Sequence, residues 1–168
     1  MHFLFTIYFF IIGLIFGSFF NVVGLRVPIN KLFESQRSYC PHCHHTLRWY
    51  ELIPVFSYII QRGKCRHCKQ QISVLYPVIE LFTGILFGFS FYHFGFQLEL
   101  IMALLFVSLL VIIIVTDLKY MLIPDRILLF FLPLLILMRV IVPFEPWWSP
   151  VLGAIIGYGL LALIIIVS

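Results

Sequence analysis

The sequence predicts an all-α polytopic membrane protein, with about five transmembrane helices and one loop carrying two cysteine pairs. Three observations predict it. The 168 residues are 62% hydrophobic and only 11% charged, with a mean hydropathy of +1.10, whereas soluble domains run near a quarter charged. Apolar runs recur along the chain, several of them long enough to cross a bilayer core of about 30 Å as helices. Finally, eight of the eleven Lys and Arg residues crowd between positions 26 and 71.

The predicted spans lie at about residues 3–25, 74–96, 98–116, 127–142 and 150–167. The first reads as a span rather than a cleaved signal, since no cation precedes it and no A-x-A site follows. Within it, Gly13 and Gly17 form a G-x-x-x-G pair that permits close helix packing. Ser18 and Asn21 continue that face and are expected to hydrogen-bond to a neighbouring helix. The span at 127–142 contains Pro133, which would kink it, and Arg139, which must snorkel.

The basic loop sets the topology. By the positive-inside rule, residues of about 26–71 are cytosolic. Alternation then puts the N-terminus outside, residues 117–126 inside, and residues 143–149 outside, where Glu145, Trp147 and Trp148 read as an interfacial belt. The net charge of +4 is therefore a topology signal, and no nucleic-acid partner is expected; the partner implied by composition is the lipid bilayer.

All four cysteines lie in this loop, as Cys40 and Cys43 in one C-x2-C pair and Cys65 and Cys68 in another. Each tight turn presents two sulfurs, and two turns complete a tetrahedral zinc site with no open position for water, so the zinc expected here is structural. Lys64, Arg66 and Lys69 would favour the thiolates. Disulfides compete poorly on the reducing cytosolic side. His42, His44, His45 and His67 stand beside the cysteines, either as solvated loop residues or with one replacing a sulfur. Between the pairs, "LRWYELIPVFSYII" is too short to span. Two readings stand for it, a flap on the membrane surface or a small core packed around the metal. No internal repeat is evident.

Three carboxylates draw notice because an acid at a membrane edge is costly unless paired, hydrated or used. Asp117 follows a long apolar run at the same predicted membrane edge as the cysteine loop. It is either an interfacial helix end or half of a catalytic pair. Asp125, behind Pro124, reads as a first-turn residue of the next helix, where the helix dipole favours an acid, with a supporting catalytic role as the alternative. Glu80 lies inside the second span and is either a functional acid, salt-bridged to Arg26, or exposed to water.

At this point the residues resemble a known family. "GLIFGSFFNVVGLRVP" (13–28), "CPHCHHTLRWYELIPVFSYIIQRGKCRHCKQQISVLYPVIE" (40–80) and "TDLKYMLIPD" (116–125) are similar to the type IV prepilin leader peptidases. These are aspartic endopeptidases of the bacterial inner membrane, also called leader peptidase/N-methyltransferases. The resemblance implies a function at the cytosolic face, cleaving the short basic leader of pilin, pseudopilin and competence-pilin precursors after a Gly. It implies that Asp117 is one of two catalytic carboxylates. It also implies that the region matching 13–92 serves methylation of the new N-terminus from S-adenosylmethionine, with Glu80 possible in that half. The organisation expected is an N-terminal domain at 1–92 and a partial peptidase membrane domain at 98–168.

The family's second aspartate lies in a G-x-G-D motif that these 168 residues do not contain. The expectation is a chain clipped on its C-terminal side and active only when completed. A methyltransferase fragment and a non-catalytic zinc-loop scaffold that binds pilins are the alternatives.

Overall fold

Five apolar helices account for most of the chain. The computed structural model describes residues 1–30, 38–143 and 148–167. Its elements are α1 (His2–Arg26), a 3-10 turn (Trp49–Leu52), the short α2 (Phe56–Ile60), α3 (Leu75–Phe94), α4 (Leu98–Tyr120), α5 (Asp125–Ile141) and α6 (Ser149–Val167). Among the described residues the only β pairing is two isolated antiparallel bridges, Tyr39 with Thr46 and Lys64 with Gln71. The fold is therefore that of an all-α integral membrane protein, as its sequence predicts. Glu145 and Trp147 of the expected belt lie outside the described residues.

Among the described residues, three helices are long and apolar enough to cross a membrane: α1, α3 and α4. The other two predicted spans form as helices, but α5 has 17 residues with Pro133 inside it. Contacts divide the chain into two compact units, Met1–Leu135 and Ile136–Ser168. The first contains the four cysteines, Glu80, Asp117 and Asp125.

Small residues decide how tightly that unit packs. A Cβ added at Gly13 would lie 2.7 Å from the Gly84 Cα, and one at Gly17 would lie 2.8 Å from the Glu80 Cα. The expected G-x-x-x-G face thus brings the α1 and α3 backbones together, gaining dispersion contacts where lipid tails offer no hydrophobic drive. Asn21 is buried and donates from Nδ2 to the Tyr76 carbonyl at 3.2 Å, so its predicted cross-helix bond goes to α3. Further along α1, Gly24 faces α4, with its absent Cβ only 2.6 Å from Val115 Cγ1. Phe20, Ile79, Phe87, Val111, Ile112 and Val115 fill the space between these helices, and Ile127 and Phe131 of α5 join them. At the far end of α1, Phe9 stacks on Phe91 at 4.6 Å.

The opposite end gathers the polar residues. The Tyr120 hydroxyl, at the last residue of α4, donates to the Leu25 carbonyl at the end of α1 at 2.8 Å. Arg126, in the first turn of α5, donates to Asn30 Oδ1 just beyond α1. The cysteine loop leaves from this end of α1 and returns into α3. Asp117 therefore shares an end of the bundle with the cysteine loop, as the charge pattern predicts.

Candidate metal centre and membrane-edge carboxylates

The two cysteine pairs fold into matching knuckles. In the first, the Cys40 amide donates to the His45 carbonyl at 3.0 Å and the His44 amide to the Cys40 carbonyl at 2.9 Å. In the second, the Cys65 amide donates to Gln70 at 2.8 Å and the Lys69 amide to Cys65 at 3.0 Å. Both turns close through a residue with positive φ, His44 at 55° and Lys69 at 62°. Glycine would take this conformation at less cost. The knuckles are thus a short internal repeat, which the sequence reading did not find although "CPHCHHT" and "CRHCKQQ" align without a gap.

The knuckles face one another. Cys40 Sγ lies 3.8 Å from Cys68 Sγ, and Cys43 Sγ lies 4.0 Å from Cys65 Sγ. All four sulfurs fall within 4.8 Å of one another. A tetrahedral ion with metal–sulfur bonds of about 2.3 Å has sulfurs about 3.8 Å apart, so the cluster is already near the dimensions of a metal site. No histidine belongs to this group. Instead His45 and His67, one from each knuckle, stack with ring centres 5.2 Å apart, and His44 stacks on Tyr39.

The thiols differ electrically. Hydrogen bonding from the Cys43 amide holds the Cys40 thiol down to about 7, with the His42 amide helping and burial opposing. The Cys43 thiol goes the other way, up to about 11. There the His45 amide is the largest influence and would lower it. Burial and the neighbouring Cys68, Cys40 and Cys65 thiols together outweigh that amide.

The segment between the knuckles does not form a packed core. Trp49 is 78% exposed, Phe56 61%, Ile59 64% and Ile60 69%. Its polar groups are used internally: Glu51 is buried and its carboxylate accepts the Arg48 amide at 2.8 Å. The Arg66 guanidinium lies over the Tyr50 ring, 5.3 Å from its centre, tying the second knuckle to the base of this flap.

The flap's tip is pinned elsewhere. Val55 has φ 61° and ψ −51°, and the Phe56 amide donates back to the Pro54 carbonyl at 2.6 Å. This is a γ-turn with a β-branched residue at positive φ, a rare and strained combination. It aims the Val55 amide at Glu80 Oε2, 2.7 Å away. Ser18 hydrogen-bonds to the same carboxylate from α1. Glu80 is only 7% exposed, which corrects the water-exposed reading. Sequence reasoning missed Val55 altogether, although a proline inside an apolar loop segment marks a turn worth inspecting.

Asp117 sits in the last turns of α4 and is exposed. Its carbonyl caps the helix by accepting the Met121 amide at 2.9 Å, with Met121 in the left-handed conformation. Val115, two residues before it, is fully buried against α1. The carboxylate is therefore carried by a rigidly packed helix. Asp125 is the first residue of α5 and is also exposed.

An all-α membrane bundle with a four-cysteine centre and an exposed aspartate at the same end defines the class of protein. Comparison with known proteins narrows it. Residues 11–94 match the bacterial peptidase A24 N-terminal domain, and residues 104–167 match the type IV leader peptidase family. The prepilin leader peptidase/N-methyltransferase of Bacillus subtilis (strain 168) is 48% identical over 155 residues, which are 92% of this chain and 62% of that protein. The similarly named protein of Klebsiella pneumoniae is 35% identical over 164 residues, 93% of this chain and 71% of that protein. That of Myxococcus xanthus (strain DK1622) is 46% identical over 121 residues, 72% of this chain and 36% of that protein. The chain belongs to the type IV leader peptidase family. It spans less than two thirds of the Bacillus subtilis relative. No solved structure matches it.

Proposed function

We propose that this chain is the N-terminal and central part of a prepilin leader peptidase, cutting the basic leader of pilin-like precursors after a Gly at the cytosolic membrane face. The observation that carries this reading is that Asp117 stands exposed on a tightly packed helix end, at the end of the bundle from which the knuckle loop leaves. Asp117 is one of two carboxylates that share a proton. The ionised member takes a proton from the attacking water and the other donates a hydrogen bond to the scissile carbonyl oxygen. The partner of Asp117 is the carboxylate that the family carries in a G-x-G-D motif, which these 168 residues do not contain. Asp125 and Glu80 are supporting residues at most. Glu80 already accepts the Val55 amide, and Asp125 opens a helix.

The knuckles hold zinc through Cys40, Cys43, Cys65 and Cys68. The sulfur spacing suits it, and four thiolates leave the ion structural. The matches at 11–94 and 104–167 support an organisation into an N-terminal domain at 1–92 and a peptidase membrane domain at 98–168. The names of the relatives support a second activity, N-methylation; the proposed donor is S-adenosylmethionine and the proposed place is the N-terminal domain. The family places the protein in the bacterial inner membrane, and the basic loop supports an orientation with the N-terminus outside and the zinc loop in the cytosol.

The test is Asp117→Asn in the protein carrying its second carboxylate, assayed on a pilin precursor in membranes. Cleavage should fall by at least about 10²-fold, as for loss of a group that moves protons, with zinc content unchanged. Retained cleavage would remove Asp117 from the chemistry.

A further inference from the structure

We propose that the flap between the knuckles is an interfacial membrane anchor, which lays its apolar face into the headgroup boundary of an anionic phospholipid surface. Whether the chain cleaves pilins or not, four observations carry this.

The first is the face itself. Phe56, Ile59 and Ile60 stand at i, i+3 and i+4 on α2, so they share one side of that helix, and all three are exposed. Tyr58 points the other way, its hydroxyl filling the space that a side chain at Gly63 would need. Trp49, Leu52 and Ile53 extend the exposed surface from the preceding turn. At five residues α2 cannot cross a membrane, which leaves the interface as the place where such a face is satisfied.

The second observation is depth. The Val55 amide is bonded to Glu80, five residues into α3, and each residue advances a helix by about 1.5 Å. The flap's tip is therefore held beside a point about 7.5 Å along a helix apolar enough to span the bilayer. A segment fixed at that depth meets the boundary between headgroups and acyl chains rather than bulk water.

Charge is the third. Arg48, Arg62, Lys64, Arg66 and Lys69 flank the apolar face. The only acid among residues 48–69 is Glu51, buried with its carboxylate bonded to the Arg48 amide. An apolar face rimmed by cations is complementary to an anionic lipid surface. The fourth is closure. The converging knuckles hold the two ends of the flap together while Glu80 holds its tip, so the face is presented on a closed loop and not on a free strand.

Trp49 supplies the reporter. The chain has three tryptophans, and Trp147→Phe with Trp148→Phe leaves Trp49 alone. The full-chain, metal-loaded protein is reconstituted into phosphatidylcholine vesicles with or without phosphatidylglycerol, using lipids brominated near the carbonyl or near the bilayer centre. Trp49 should emit to the blue of a water-exposed indole and be quenched more by the shallow bromines, most of all in the anionic vesicles. Adding Phe56→Ser and Ile59→Ser should shift its emission to the red and abolish the quenching at unchanged metal content. Water-like emission that ignores both bromines would overturn the proposal. So would quenching that appears only when an apolar pilin-type helix is added, since the face would then belong to a protein. Quenching that tracks protein density rather than lipid would assign it to a second copy and overturn it equally. Equal quenching in neutral vesicles would overturn the anionic selectivity.

Discussion

The Val55 backbone amide donates to the Glu80 carboxylate at 2.7 Å, joining a strained turn in the loop to the interior of a membrane helix. Gly17 of α1 lies against the Glu80 Cα, so three separate segments meet at one acid. A hydrogen bond of this kind contributes about 0.5–1.5 kcal/mol net, and here it also holds Val55 in a conformation that costs about 1–3 kcal/mol to maintain.

Glu80→Leu and Glu80→Gln should therefore differ. The leucine variant leaves the Val55 amide without its acceptor, and should destabilise the solubilised protein by about 1–3 kcal/mol. Amide hydrogen exchange should rise in residues 53–60 before any other described segment. The glutamine variant keeps an acceptor oxygen and should lie close to the parent. Equal exchange in both would show that the contact does not hold the flap.

Gly24 tests the α1–α4 contact. Gly24→Ala puts a methyl 2.6 Å from Val115 Cγ1 and 2.8 Å from its Cβ. Overpacking of this kind costs about 1–3 kcal/mol, and it should displace the end of α4 that carries Asp117. Val115→Ala in the same chain removes the nearer atom but not the Cβ. Thermal unfolding of the double variant should recover only part of the loss.

The metal-free knuckles have a pH signature. The Cys40 thiol is held at about 7, below its ordinary 9.0. Between those values the folded loop binds fewer protons than the unfolded one, so stability rises with pH and is lost as pH falls through 7. The Cys43 thiol is pushed up to about 11. From 9 to 11 the folded loop binds more protons, and stability falls. The metal-free loop should therefore be most stable near pH 9. Thiolate absorbance in the ultraviolet should rise over several pH units, and one narrow step for all four thiols would contradict the assignment.

Asp125 separates the two acids of the "TDLKYMLIPD" stretch. As the first residue of α5, it interacts with the helix dipole for about 0.3–1 kcal/mol. Asp125→Asn should change stability by no more than that and leave leader cleavage within a few-fold of the parent. A loss as deep as that of Asp117→Asn would give Asp125 a share of the chemistry.

Much of this was legible from residue type and spacing. Four cysteines in two close pairs converge because each pair is one tight turn, and turns are local. Gly13 and Gly17 mark the α1–α3 contact because an apolar helix offers few other reasons to place small residues one turn apart. The shared end of Asp117 and the cysteine loop followed from where the cations lie. The partner of Glu80 could not be read this way. It is a backbone amide, identical in every residue except proline, and only the strained turn at Val55 turns it toward the acid. The flap's exposure was equally hidden, because an apolar aromatic segment has the same composition whether it packs inward or faces lipid.

Glu80 also bears on how the chain enters the bilayer. Of the three long apolar helices, only α3 carries an acid away from its first and last turns. A carboxylate there disfavours insertion on its own, and the amide that relieves it precedes the helix in the chain. The loop thus emerges first during synthesis and can be folded, metal included, before α3 needs it. If the knuckles hold zinc as proposed, ion loading becomes a checkpoint in biogenesis. Depriving growing cells of zinc should leave newly made chains with α3 accessible to water-soluble labels while α1 remains inserted, and protected α3 in such cells would separate the two events.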